Sequence, residues 1–215
     1  DALVQDVDRD AVPELRHRLR QGALGLSALG YPHRFRNLRI RDLPARERWE
    51  TLYETEEDFA RWVVSEGKPR FVPRGGVIRG EGMGHLATRE TFRDFELRLY
   101  VRGSRHHNGG ILFRSAGKGL AGSRCYEIQL HNVEEAHYPT GSLYGIQRSV
   151  YPRIEDEQWY LLQLTVQEGR CVVRINGETV TEHEGLTNRE AGAIELQAHQ
   201  ADAWLEYKHI QIRRL

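Results

Sequence analysis

The sequence predicts an antiparallel all-β sandwich, and three observations carry that expectation. From Phe92 onward, short alternating or β-branched runs recur with turn residues between them: DFELRLYV, GGILFR, CYEIQL, YLLQLTV, CVVRIN, AIELQA and KHIQIRRL. Such a rhythm belongs to strands that return on their neighbours. Two hairpins stand in YLLQLTVQEGRCVVRINGETV, with Glu168-Gly169 at the first turn and Asn176-Gly177, the strongest short hairpin signal, at the second. Helical signal is confined to two short stretches.

In chain order, the first of these is AVPELRHRLRQ, residues 11 to 21, where Pro13 suits a first helical turn. GALGLSALGYPHRFRNLRIRDL, residues 22 to 43, then reads as the strand pair that ends a β-domain. It matches the C-terminus: Gly22, Leu24 and Leu26 align with Gly192, Ile194 and Leu196, and after a two-residue shift Phe35, Leu38 and Ile40 align with Tyr207, Ile210 and Ile212. A two-strand repeat about 170 residues apart, with nothing upstream to match the rest of a domain, is expected of the last piece of a preceding copy. A rival account has these strands completing or flanking the edge of a single sandwich. Because RDLPARERWETLYET reads as a polar connector, the expected organisation is a remnant plus linker over residues 1–45 and one complete domain over residues 46–215. The second helical stretch, TEEDFARWVV, follows with Thr55 and Asp58 in capping-box positions.

Composition narrows the function. Acidic and basic side chains balance at 31 each, so no net field draws a polyphosphate backbone or an anionic membrane surface, and no nucleic-acid partner is expected. No apolar run approaches the roughly eighteen residues that span a bilayer, so membrane insertion is not expected. The stretch DALVQDVDRD has neither the basic nor the apolar region of a signal peptide. Cys125 and Cys171 lie inside apolar strand patterns and are expected as buried thiols rather than as a disulfide or a metal pair.

Side chains alternate faces along a strand. In CYEIQLHN, Tyr126, Ile128 and Leu130 can therefore enter the core, while Glu127, Gln129 and His131 form a second row, about 7 Å apart, bearing a carboxylate, an amide and an imidazole. IELQAHQ repeats the arrangement with Gln197 and His199. A solvated outer face and a ligand site are both open readings of such a row. HHNGGILFRS offers Asn108 at a strand entry and, further along, Arg114, whose planar fork suits hydroxyl or carboxylate recognition. TGSLYGIQ sets Tyr144 where a phenol can stack on a ring or donate a hydrogen bond. Trp159 is expected in the core. TEHEG around His183 lacks the second histidine of a zincin helix, and the adjacent His106 and His107 would point to opposite sides of a strand. No GxSxG elbow, P-loop or CxxC pair occurs.

Taken in order, GHLATRETFRDFELRL, NGGILFR, YEIQL, TGSLYG, the INGETV hairpin and GAIELQAH resemble the 3-keto-disaccharide hydrolase family over about residues 56 to 215. The resemblance implies a two-sheet antiparallel jelly roll of the concanavalin A-like lectin and glucanase type, with a concave ligand face. It also implies that residues 22 to 43 are the same family's closing strands, so that a preceding homologous domain or a neighbouring chain is an expected partner. The implied ligands are carbohydrates oxidised at C3, whose ketone acidifies the C2 proton; a base removes that proton while the glycosidic oxygen leaves C1. Carried over motif by motif, Glu127 or His131 is expected as the base, His199 or Tyr144 as the acid, and Asn108, Arg114, Gln129 and Gln197 as substrate-binding residues. His131 stands where an acidic residue is expected, and Gly109 follows Asn108 where serine is frequent. No cofactor is expected, and use of a divalent metal stays open at those departures. The alternative implied by the resemblance is a non-catalytic, lectin-like module, and the family's habits point to an exported bacterial protein, periplasmic or extracellular.

Overall fold

In the computed structural model, residues 49–117 and 124–215 are described throughout, together with a few positions between 25 and 40. The helix expected over residues 11–21 lies outside the described residues, as does most of the strand pair expected over residues 22–43. The domain opens with β1 (Glu50–Tyr53), a 3-10 helix (Glu56–Arg61), β2 (Trp62–Gly67), β3 (Arg70–Arg74) and β4 (Val77–Thr88). It continues through β5 (Phe95–Gly103), β6 (Gly109–Ser115), β7 (Tyr126–Leu130), β8 (Tyr160–Gln167), β9 (Arg170–Ile175), β10 (Glu178–Glu184) and β11 (Ala193–Arg214). Every pairing among these strands is antiparallel.

Two long strands turn this network into a sandwich. The first half of β11, up to Gln200, lies between the second half of β4 and β6, which makes one layer in the order β2-β4-β11-β6-β7. From Trp204 onward β11 continues between the first half of β4, or β1, on one side and β5 on the other. The second layer therefore runs β3-β4-β11-β5-β8-β9-β10. The register on β4 skips from Gln200 opposite Gly82 to Trp204 opposite Glu81, which is where the chain passes between layers. Glycine stands at the matching position of β4: Gly82, opposite Gln200, takes φ +84°.

Period-2 alternation fills the space between the layers. On β5, Phe95, Leu97, Leu99 and Val101 are buried, while Glu96, Arg98, Tyr100 and Arg102 turn outward. Phe92, Phe95, Phe113 and Tyr126 form a chain of rings with centres 5.3 to 6.3 Å apart, packed with Ile194, Leu196 and Tyr207 of β11. Both expected hairpins are present. Asn176 and Gly177 take φ of +50° and +87°, as a two-residue primed turn requires, and Asn176 Oδ1 accepts the Leu161 N–H at 3.0 Å.

Three expectations need correction or completion. Asp58 does cap its helix, accepting the N–H groups of Glu54 and Thr55 at 2.9 and 3.0 Å, but the helix ends at Arg61. Trp62, Val63 and Val64, read as its continuation, pair with Thr88, Ala87 and Leu86 of β4 instead; a local helical pattern yields to a long-range ladder of β-branched residues. Trp159 lies half-buried on the outer face of the second layer, its ring centre 4.3 Å from Lys208 Nζ and 4.7 Å from Arg102 Cζ, so it is a surface residue rather than a core one. Cys171 is buried and Cys125 half-buried, both as thiols. No helix among the described residues is long and apolar enough to cross a membrane.

Candidate active site

The face of the first layer that turns away from the core carries three cross-strand rows of polar side chains. One row runs Glu127, Leu112, Glu195, Ala87 across β7, β6, β11 and β4. The next runs Gln129, Gly110, Gln197, His85, Glu66 and reaches β2. At the end of the strands His199 lies opposite Met83 and donates its backbone N–H to the Asn108 carbonyl at 3.0 Å, while His131 closes β7. The same pattern, Glu-x-Gln-x-His, thus stands on β7 and on β11, with β6 between them. At about 4.8 Å per strand, the backbones of Glu127 and Glu195 lie about 10 Å apart.

Glu127 closes part of that gap. Its side chain folds over β6 at Gly110, where a Cβ would overlap its Oε1, so the absence of a side chain at residue 110 is what admits the carboxyl to the middle of the face. Glu127, Gln129 and Gln197 are all buried, and Gln129 donates its amide N–H to Asn108 Oδ1 at 2.7 Å. Burial pushes the Glu127 carboxyl up to about 7, against the opposing pull of nearby His85. It is therefore held near the point where it can both give and take a proton at neutral pH.

Glu195 has the opposite electrostatics. Burial by itself would raise its pKa, but hydrogen bonds from His85, Ser115 and Ser65 outweigh that and hold the carboxyl below its ordinary range. Ser65 Oγ donates at 2.8 Å, Ser115 Oγ donates to the other oxygen, and His85 Nδ1 lies 3.1 Å from Oε2. An ionised carboxylate can only accept, so Nδ1 of His85 carries a proton, while its Nε2 lies 3.3 Å from the Gln197 amide nitrogen and 4.0 Å from Glu66 Oε2. The face therefore contains two carboxyl groups whose environments drive their pKa values apart, with an oriented imidazole beside them.

A bulge in β6 builds the Ser115 contact. The register against β11 shifts between Ala193 opposite Ser115 and Glu195 opposite Leu112, and Arg114 takes φ +53° at the extra position. Arg114 itself is placed apart from the polar rows. Its side chain is fully enclosed and donates to the carbonyls of Arg93 (3.1 Å) and Asn188 (2.7 Å) and to Asp94 Oδ1 (3.1 Å). A guanidinium so occupied ties the strand end to two loops rather than meeting a ligand.

The remaining expected residues frame the face. His131 is half-buried, with Nδ1 2.8 Å from the His107 carbonyl, and His199 is exposed. Tyr144 donates its backbone N–H to the Glu127 carbonyl at 2.9 Å, seating its exposed ring along the free edge of β7, 5.3 Å from the ring of Tyr138. Residues 140–144 are held there by further bonds to β7, Gln129 N to Ser142 O and Gly141 N to Gln129 O, both 2.9 Å. Among the described residues no three His, Cys, Asp or Glu side chains are grouped to hold a metal ion. His85 and Glu195 are the residues that motif reading passed over. Glu195 had a signal, since it shares the two-residue period of Gln197 and His199 in AIELQAH. His85 had none beyond its place in GHLATRE.

No curated protein matches this chain. Among solved structures, the chain is similar to a candidate glycosyl hydrolase from Parabacteroides distasonis ATCC 8503, at 18% identity and TM-score 0.68 over 79% of this chain and 100% of that one. It is also similar to the carbohydrate binding module CBM66 from Bacillus subtilis, at 14% identity and TM-score 0.53 over 71% and 95% of the two chains. The β-glucanase of Bacillus licheniformis aligns at 8% identity and TM-score 0.52 over 72% and 92%. At such identities the likeness is one of fold, the two-layer jelly roll. The model of the 3-keto-alpha-glucoside-1,2-lyase-like domain matches residues 48–213, most of the chain, and the protein belongs to that carbohydrate-active family.

Proposed function

We propose that this domain cleaves 3-keto-glycosides by elimination across C1 and C2, with Glu127 as the base. The observation that carries the reading is the buried Glu127 carboxyl, raised to about 7 and laid over Gly110 between Gln129 and Gln197. The C3 ketone acidifies the C2 proton, and the ionised Glu127 takes it. The electron pair passes through the enolate, whose oxygen needs N–H donors; the Gln129 and Gln197 amides stand in the same row for that purpose. The C1–O bond then breaks, its electron pair stays with the glycosidic oxygen, and His199 or Tyr144 at the rim supplies the proton that completes the alcohol. The Glu195 carboxylate acts through His85, holding its Nδ1 proton and its orientation beside Gln197.

The test is release of aglycone from a 3-keto-glucoside by the parent and by Glu127→Gln, which keeps the shape and removes the proton acceptor. Turnover is expected to fall at least about a hundredfold, within the range general bases contribute, while binding of the substrate survives. Equal rates in the two proteins would remove Glu127 from the base role and leave His131. Binding of ordinary glycans with no release from any 3-keto-glycoside by the parent would favour a lectin-like module.

A further inference from the structure

The outer face of the second layer, on the other side of the sandwich from Glu127, has a half-open groove of about 390 Å³ lined by Arg70, Arg74, Arg79, Arg102, Glu81 and Glu206. The chain as a whole is neutral, so four guanidinium groups against two carboxylates make a local excess of positive charge rather than a share of a general one.

Both carboxylates are engaged by the groove's own arginines. Glu206 stands in register between Arg79 of β4 and Arg102 of β5, accepting Arg79 Nη1 at 3.3 Å and Arg102 Nε at 2.6 Å. Glu81 accepts Arg79 Nε at 2.7 Å. The two central guanidinium groups are also stacked, Arg79 Cζ 4.5 Å from the ring centre of Trp204 and Arg102 Cζ 4.7 Å from that of Trp159. Fixed by a carboxylate and an indole each, they have little rotamer freedom left to lose on binding an anion.

The other two arginines differ. Arg70 and Arg74 stand at the two ends of β3 and are exposed. Arg70 lies 3.7 Å from Glu81 with 76% of its side chain accessible, and the Arg74 side chain has no hydrogen-bond or ion-pair partner among the described residues. The groove thus has a floor of two oriented guanidinium groups and a rim of two exposed ones, an arrangement that matches planar anionic oxygens by bidentate contact.

We propose that this groove binds an acidic saccharide chain through the carboxylates of its uronic acid residues. The choice of a saccharide rests on the carbohydrate-active character of the family, and the choice of an anion rests on the groove alone. The probes are an oligogalacturonate, a neutral gluco-oligosaccharide of the same length and a poly-glutamate peptide, titrated calorimetrically into the parent, into the Arg70→Ala/Arg74→Ala double variant and into Glu127→Gln. Oligogalacturonate is expected to bind the parent and Glu127→Gln equally, to bind the double variant at least about tenfold more weakly, and to weaken as salt rises. The neutral oligosaccharide is expected not to share this binding.

Equal binding by the parent and the double variant would overturn the proposal, as would binding of the neutral chain with the same affinity. Poly-glutamate binding as tightly as the uronate would overturn the saccharide and leave an acidic peptide site. Because Glu127→Gln is carried alongside, loss of turnover on 3-keto-glycosides and loss of uronate binding are read separately. A single Arg74→Ala variant, changed only at the exposed end of β3, serves where the double variant is poorly folded; a several-fold loss of uronate affinity is expected, and unchanged affinity would overturn the proposal.

Discussion

Replacing Glu127 by Gln removes a charge that the fold is poorly placed to carry, so the variant gains stability where the parent is ionised. The carboxyl moves from an ordinary value of 4.5 in the unfolded chain to about 7 in the folded one, chiefly through burial. Below 4.5 the group is neutral in both states and the stability it allows is fully present. Between 4.5 and 7 the folded state retains a proton that the unfolded chain has released, so the group's contribution to stability declines as pH rises. It is fully lost above 7. Each pH step is worth about 1.4 kcal/mol, so the whole interval amounts to about 3 kcal/mol. Urea unfolding of parent and variant at pH 4, 6 and 8 measures it: the stability of Glu127→Gln relative to the parent should increase by about 3 kcal/mol from the lowest pH to the highest. Parallel pH profiles would refute the raised pKa, and with it the claim that this carboxyl is poised for proton transfer at neutral pH.

Gly110→Ala places a Cβ where Glu127 Oε1 lies. The Cβ would also overlap Cγ and Cδ of the buried Glu127 side chain, which must swing away as a whole, so a loss of about 1–3 kcal/mol is expected, while turnover falls at least about tenfold and the pH dependence of stability assigned to Glu127 shrinks. Glu195→Gln cannot accept from Ser65, Ser115 and His85 together; a loss of about 2–4 kcal/mol at pH 7 is expected. Since the Glu195 pKa is depressed in the fold, the parent's advantage is present above the ordinary carboxylate value and fades as pH falls through the folded one, which acid titration of both proteins would follow. Arg114→Ala leaves Asp94 without its buried partner and should cost about 3–5 kcal/mol in urea unfolding, with KM for a 3-keto-glucoside unchanged in the folded fraction. A large rise in KM at unchanged stability would return Arg114 to the ligand face.

Local signals were legible wherever the physics is local. Asn176-Gly177 demands a primed turn whatever surrounds it, and Asp58 caps its helix through the nearest N–H groups. Alternation placed Glu127, Gln129, Gln197 and His199 on one side of their strands because the pleat has a period of two. The reading of TEEDFARWVV overran for the converse reason: Trp62 to Val64 are decided by a partner strand more than twenty residues away.

What the sequence by itself determined is the class of the fold, the hairpins and the side of their strands shared by Glu127 with Gln129 and by Gln197 with His199. All of these follow from dihedral preferences and the two-residue period within single segments. Only the tertiary structure decided which rows meet. Glu195 pairs with His85 across 110 positions because β4 and β11 are neighbours, and a bulge at Arg114 turns Ser115 to the same carboxylate while withdrawing the arginine that had seemed a ligand. The Glu127 carboxyl lies over Gly110 because a strand between β7 and β11 has no side chain there. Desolvation, and hence the pKa on which the proposed chemistry depends, is a property of that assembled surface and of no segment alone.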